Sequence, residues 1–143
     1  MDTIKLLLVD DEAAFLDPMG KRLEKRGILV SKAHSGQEAL ETLGAQKNIE
    51  VVVLDVKMPG MDGIETLGEV KKHFPLVEAV MLTGHATVET AIEGMKQGAF
   101  DYLMKPCAID TLVEKVSLAA DQKRRQEEKI IQARIKEITG RRP

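Results

Sequence analysis

The chain has 143 residues, 43% of them hydrophobic and 31% charged, and a formal net charge of −2. That length fits one domain with its own core, and the slightly acidic total argues against a nucleic-acid-binding domain, which is normally clearly basic. The single cysteine, Cys107, excludes an intramolecular disulfide and a multi-thiolate zinc site, while the lack of a membrane-length apolar stretch or a basic-then-apolar leader makes the cytoplasm the expected location.

In chain order, the first apolar run, Ile4–Val9, predicts a strand and is followed by a helix over about Glu12–Arg26, with Phe15, Met19 and Leu23 four apart on one face and Gly27 as its stop. Ile28–Ala33 predicts a second strand that turns polar late, as an edge strand would. Ser35-Gly36-Gln37-Glu38 reads as a capping box opening a helix that buries Ala39, Leu40 and Leu43. The third strand is Val51–Leu54, and the third helix begins near Gly63, buries Ile64, Leu67 and Val70, and stops before Pro75. Ala79–Leu82 is the fourth strand. The fourth helix covers about Thr87–Lys96, with Val88, Ala91, Ile92 and Met95 as its apolar positions, and Gly98 breaks it. The fifth strand is Tyr102–Met104. The last helix starts near Asp110–Thr111, where Thr111 and Glu114 suggest another capping box, and it buries Leu112, Val113 and Val116.

Strands that are nearly continuous in apolar residues are covered on both faces. Strict β-α alternation predicts an α/β fold, a parallel sheet with right-handed crossovers and helices on both faces. Ligands of such sheets bind beyond the carboxyl ends of the strands. That edge is where the polar residues of this chain gather: Asp10-Asp11 after the first strand, Asp55 after the third, Thr83-Gly84 after the fourth and Lys105-Pro106 after the fifth. Three carboxylates, a hydroxyl and an ammonium at one edge suit a divalent cation and a phosphoryl group. Crowded carboxylates repel one another, and a cation relieves that. A carboxylate is also a nucleophile already ionised at neutral pH.

Leu-Val-Asp-Asp-Glu at 8–12, Leu-Asp-Val-Lys-Met-Pro-Gly-Met-Asp-Gly at 54–63, Leu-Thr-Gly-His at 82–85 and Asp-Tyr-Leu-Met-Lys-Pro at 101–106 stand in order, each at a strand end. On these motifs, residues 3–120 resemble the receiver domain of bacterial two-component response regulators. The resemblance implies a flavodoxin-like, five-stranded parallel sheet of order 2-1-3-4-5. It implies Asp55 as phosphoacceptor, with Mg²⁺ held by Asp11 and Asp55, by Asp10 mainly through water, and by the backbone carbonyl of Lys57. Lys105 would pair first with Asp55 and then with a phosphoryl oxygen, in company with the Thr83 hydroxyl, while Tyr102 turns inward as the switch partner of Thr83. Lys57 and His85 would flank the phosphoryl group and tune its lifetime, and the Lys105–Pro106 bond would be cis. The implied partners are a sensor histidine kinase or phosphotransfer protein, an output domain or partner protein, and a second copy through the face of the fourth helix, fifth strand and fifth helix or through the C-terminal helix. No membrane or direct nucleic-acid contact is implied, and the domain is not an enzyme beyond its own phosphorylation and dephosphorylation.

Residues 1–120 thus read as the receiver and 121–143 as a helical extension. The extension holds eight Lys/Arg against four Asp/Glu, while the body holds 13 against 19. It carries Ile130, Ile131, Ile135 and Ile138 as an apolar stripe that would pack on something, with a short coiled coil as one arrangement and a frayed, solvated tail as the other. It resembles the linker leading to an output domain in larger transcriptional regulators, and Gly140-Arg141-Arg142-Pro143 reads as a helix stop with a disordered end. Two other functions use parts of the same pattern. A Mg²⁺-dependent phosphatase of small molecules would need a cap insertion over the site. A flavin or nucleotide module would need a phosphate-cradling loop where Asp10-Asp11-Glu12 stands.

Overall fold

A computed structural model describes residues 3–140. Five strands, β1 (Lys5–Val9), β2 (Leu29–Ala33), β3 (Val51–Leu54), β4 (Glu78–Thr83) and β5 (Asp101–Met104), alternate with five helices, α1 (Ala13–Lys25), α2 (Gly36–Ala45), α3 (Gly63–His73), α4 (Val88–Lys96) and α5 (Ile109–Gly140). The sheet is parallel throughout, in the order β2-β1-β3-β4-β5. β2 is an edge strand, as its late polar residues suggested.

Side chains alternate across a strand, so the continuous apolar runs split between two cores. Leu7, Val9, Val52, Leu54, Ala79 and Met81 face α2 and α3 with Ala39, Leu43, Leu67 and Val70. Leu6, Leu8, Val51, Val53, Val80 and Leu82 face α1 and α5 with Leu16, Leu23, Leu112 and Val116. In α1 the buried line is Leu16, Met19, Gly20 and Leu23; Phe15, expected on that face, is only half-buried at its rim. The helix continues through Pro18.

The apolar positions of α4 are largely exposed. Val88 is 76% exposed, Ile92 51% and Met95 49%; Gly94 is its buried residue. Its N-terminus is closed by a capping box between Thr87 and Thr90.

α5 starts at Ile109, so Thr111 lies inside its first turn and is not the expected cap. The helix runs without a break through Gly140, about 48 Å at about 1.5 Å per residue. Gly140 is the last described residue of the helix, and the expected disordered end, Arg141-Arg142-Pro143, lies outside the described residues. Ile130, Ile131, Ile135 and Ile138 are exposed, and among the described residues nothing covers them.

The base of the extension is tied to the amino edge of the sheet. Arg124 donates from Nε to Glu50 Oε2 at 2.7 Å and from an Nη to Oε1 at 2.8 Å, the two-pronged geometry that suits guanidinium and carboxylate. Burial alone would raise the Glu50 carboxyl, but the Arg124 hydrogen bonds and charge, with Lys123 adding to them, hold it below its ordinary value. A depressed folded-state pKa means that the stabilisation is full above the unfolded value, about 4.5, and is lost as pH falls through the folded one. Arg124→Ala is therefore expected to lower stability by about 1–2 kcal/mol near neutral pH. Urea unfolding of both proteins should show the gap closing as pH falls from about 5 to about 3.

Candidate functional site

The strand register decides what meets at the carboxyl edge. Val9 pairs with Leu54, so Asp10 and Asp55 leave adjacent strands at one level, while Lys105 leaves β5, on the far side of β4, just beyond Met104, which pairs with Thr83. Backbone hydrogen bonds extend the ladder into them: Asp10 N–H to the Ala33 carbonyl, Asp55 N–H to Val9 and Lys105 N–H to Thr83. β1 lies between β2 and β3, whose connections leave in opposite directions, and the crevice at such a switch point is the usual ligand site of open α/β sheets.

Asp10 and Asp55 are 1% and 2% exposed. Asp10 Oδ1 accepts the Glu12 backbone N–H at 2.9 Å, and Oδ2 accepts from Lys105 Nζ at 2.6 Å. Lys105 Nζ is 3.7 Å from Asp55 Oδ2. The expected first partner of Lys105 was Asp55; in the structure Asp10 is nearer, because the Glu12 N–H orients its carboxylate and turns Oδ2 toward the ammonium. Burial pushes the Asp10 carboxyl above its ordinary value. Lys105 and the Glu12 N–H oppose that rise, and the Asp55 charge adds to it. Asp55 Oδ1 is buried with no hydrogen-bond partner.

Asp10, Asp11, Glu12 and Asp55 each place a carboxylate oxygen within 4.8 Å of the others. Glu12 is expected to open the first helix and is not among the metal residues the sequence names. It is the N-cap residue of α1, but its side chain makes no capping hydrogen bond, and its carboxylate joins this group instead. The third acid in Asp-Asp-Glu was the available signal. An orphaned buried oxygen and crowded oxyanions are a donor set of the hard-oxygen type that a small divalent cation takes, so the residues present fit such an ion. Asp11, Glu12, Lys57, Met58, Pro59 and His85 line the open mouth above, a cavity of about 550 Å³.

The Thr83 hydroxyl is buried and accepts the His85 N–H at 3.1 Å. Lys57 and His85 are exposed at the mouth. Tyr102 is half-buried; its ring lies against Gly94, and its hydroxyl is 2.8 Å from Thr90 Oγ1. Thr90 is thus both the return arm of the α4 capping box and the partner of Tyr102, a link that no local pattern signals because Tyr102 lies on another element. The Lys105–Pro106 peptide bond is cis.

The loop carrying Lys57 needs two glycines for two reasons. Gly60 has φ of +73°, in the left-handed region that favours glycine. At Gly63 a Cβ would stand 1.9 Å from the Asp55 carbonyl oxygen, and its N–H donates to the Val56 carbonyl at 2.7 Å. Only a hydrogen lets α3 start so close behind Asp55.

The family model of the response regulator receiver domain matches residues 6–117. The chain belongs to that family. Among curated relatives of this receiver domain, the transcriptional regulatory protein YesN of Bacillus subtilis (strain 168) is 38% identical over 126 residues, 86% of this chain and 34% of YesN. The DNA-binding transcriptional regulator NtrC of Escherichia coli K12 is 34% identical over 121 residues, 85% of this chain and 26% of NtrC. The chain therefore spans about a third or less of these relatives. Among solved structures, a receiver domain protein from Clostridium thermocellum superposes with a TM-score of 0.81 at 37% identity, covering 85% of this chain and 97% of that one. NtrX from Brucella abortus gives 0.81 at 29% identity, covering 89% and 29%. Receiver domains of response regulators are signalling proteins of two-component systems, and they generally use Mg²⁺ at the acidic pocket. Among the described residues no helix is long and apolar enough to cross a membrane.

Gly63→Ala should force backbone to move behind Asp55 and lower stability by about 1–3 kcal/mol. Urea unfolding reads the loss, and amide shifts in an NMR spectrum should place the displacement at residues 55–63.

Proposed function

We propose that this receiver domain accepts a phosphoryl group on Asp55 from the phosphohistidine of a sensor kinase or phosphotransfer protein, in the presence of Mg²⁺. The observation that carries this reading is Asp55 itself: a buried strand-end carboxylate with one oxygen unpartnered, between an acidic cluster and the Lys105 ammonium. An oxygen of the ionised carboxylate attacks phosphorus, and the bond from phosphorus to the donor imidazole nitrogen breaks. That nitrogen keeps the electron pair, and the acyl phosphate later reacts with water to give inorganic phosphate and the free carboxylate.

The residues present would divide the work. Asp11 and Asp55, with Asp10 through water and the Lys57 carbonyl, would hold the cation, which supplies charge neutralisation for the incoming phosphoryl group. Lys105 moves from Asp10 toward a phosphoryl oxygen; a lysine ammonium is a mobile point charge suited to that exchange. Thr83 gives up the His85 N–H contact to donate its hydroxyl to the same group, and Tyr102 turns inward with it. Lys57 and His85 govern the approach of water.

The output is a changed face around α4, β5 and α5. It meets a partner protein, an output domain or a second copy, with the helix beyond residue 120 as the other dimer surface. On this reading 1–120 is the receiver and 121–143 the extension, the site faces the cytoplasm, and this segment touches neither membrane nor nucleic acid. A metabolite phosphatase is disfavoured, because among the described residues the longest connection at the carboxyl edge is residues 55–62 and no cap stands over the site.

Incubation with acetyl phosphate and Mg²⁺ should add the mass of one phosphoryl group to the wild type and nothing to Asp55→Asn. A mass gain retained in that variant would overturn the assignment. Lys57→Ala should change the dephosphorylation rate more than the phosphorylation rate; equal acyl phosphate lifetimes in the two proteins would discard the tuning role.

A further inference from the structure

Phe15 packs against the rim of the α1/α5 core and at the same time borders the acidic cluster. It is half-buried at the rim of α1, while Leu16 and Met19 take the buried places beside it. The Lys105 ammonium lies over its ring, 3.8 Å from the centroid. That separation is well inside the range in which the negative face of an aromatic ring attracts a cation.

The ammonium therefore has a three-sided seat: Asp10 Oδ2 at 2.6 Å, Asp55 Oδ2 at 3.7 Å and the Phe15 ring at 3.8 Å. Phe15 and Lys105 also line a cavity of about 380 Å³, together with Ala14, Pro18, Arg22 and Pro106. A lysine has four flexible carbons and several rotamers to occupy. Without the ring, Lys105 has this open space to swing into and a longer way to return to the carboxylates.

We propose that Phe15 is a positioning residue for Lys105, its ring face holding the ammonium against Asp10 and Asp55 and closing the retreat toward α1. The consequence for phosphoryl transfer rests on the proposed role of Asp55. The seat itself does not depend on that role. Lys105 stays within one short movement of a phosphoryl oxygen on Asp55, and the ring donates nothing to the reacting atoms.

The test compares wild type, Phe15→Leu, which keeps apolar bulk without a ring face, and Phe15→Tyr, which keeps the face, each also in a Lys105→Met background. Two readouts are used: the ring-current shift of the Lys105 ε-methylene protons by NMR, and the initial rate of phosphoryl incorporation from acetyl phosphate with Mg²⁺. F15L should lose the ring-current shift and slow incorporation about fivefold, F15Y should stay within about twofold of wild type on both, and F15L should slow K105M no further. A wild-type rate in F15L, an undiminished F15L effect in the K105M background, or failure of F15Y to restore the rate would overturn the proposal, since an effect on packing alone would not run through Lys105. Should Asp55 take up no phosphoryl group in any of these proteins, the phosphoacceptor reading falls by itself. The NMR arm then decides for Phe15: a shift lost in F15L and kept in F15Y supports the seat, and a Lys105 ε-methylene unshifted in wild type overturns it.

Discussion

The site depends on one ammonium placed against two buried carboxylates. Asp10 and Asp55 end neighbouring parallel strands, both are almost fully covered, and Lys105 reaches them from the end of β5. Two like charges so close disfavour ionisation, and stripping a buried ion of its partner typically costs about 3–5 kcal/mol. Even with Lys105 in place the compensation is incomplete, since the Asp10 carboxyl stays raised and one Asp55 oxygen has no partner. The fold thus carries an unsatisfied demand for positive charge at its open edge. The β1, β3 and β5 ends are held by the hydrogen-bonded ladder, so the backbone cannot draw these groups apart.

The rest of the molecule is uneven in how firmly it is held. α1, α2, α3 and α5 each contribute fully buried side chains to one of the two cores. α5 has a second anchor in Arg124 and Glu50, a sheet width away from the carboxyl edge. α4 has neither: its one buried residue is Gly94, which meets the Tyr102 ring, and the Tyr102 hydroxyl reaches the Thr90 arm of its capping box. Elements with few buried apolar contacts open or shift at the lowest cost. α4, which meets the Tyr102 ring and Ile64 at Gly94, is therefore the helix most exposed to a change in the position of Tyr102.

Sequence reasoning reached the architecture because the signals were local and redundant. Val51–Leu54 has no polar residue and so is buried on both faces; Ser35 opens α2 as its N-cap, its hydroxyl accepting the Glu38 N–H, although the Glu38 carboxylate meets His34 Nδ1, so only the Ser35 arm of the expected capping box is formed. It went astray where the local pattern and the packing disagree. Phe15 and Leu16 are equally apolar neighbours, and only the angle at which α1 lies on the sheet sends Leu16 inward. Val88, Ile92 and Met95 have a proper helical period, yet they are exposed, because α4 meets the body on its other side, where Gly94 lies against Tyr102 and Ile64. Thr111 and Glu114 have capping-box spacing, but the chain is already helical at Ile109.

Alternation of apolar runs with helical periods, and polar residues at each strand's carboxyl end, determined by themselves that this chain is a parallel α/β domain with an acidic, lysine-bearing edge, because hydrophobic patterning and strand polarity are properties of the chain alone. Which of those groups touch was decided by tertiary structure: Lys105 on Asp10 ahead of Asp55, Glu12 among the carboxylates, Phe15 under the ammonium, Tyr102 on Thr90 and Arg124 on Glu50. The physical reason is that each pair joins separate elements, and their distances follow from strand register, helix azimuth and the competition of several partners for one charge.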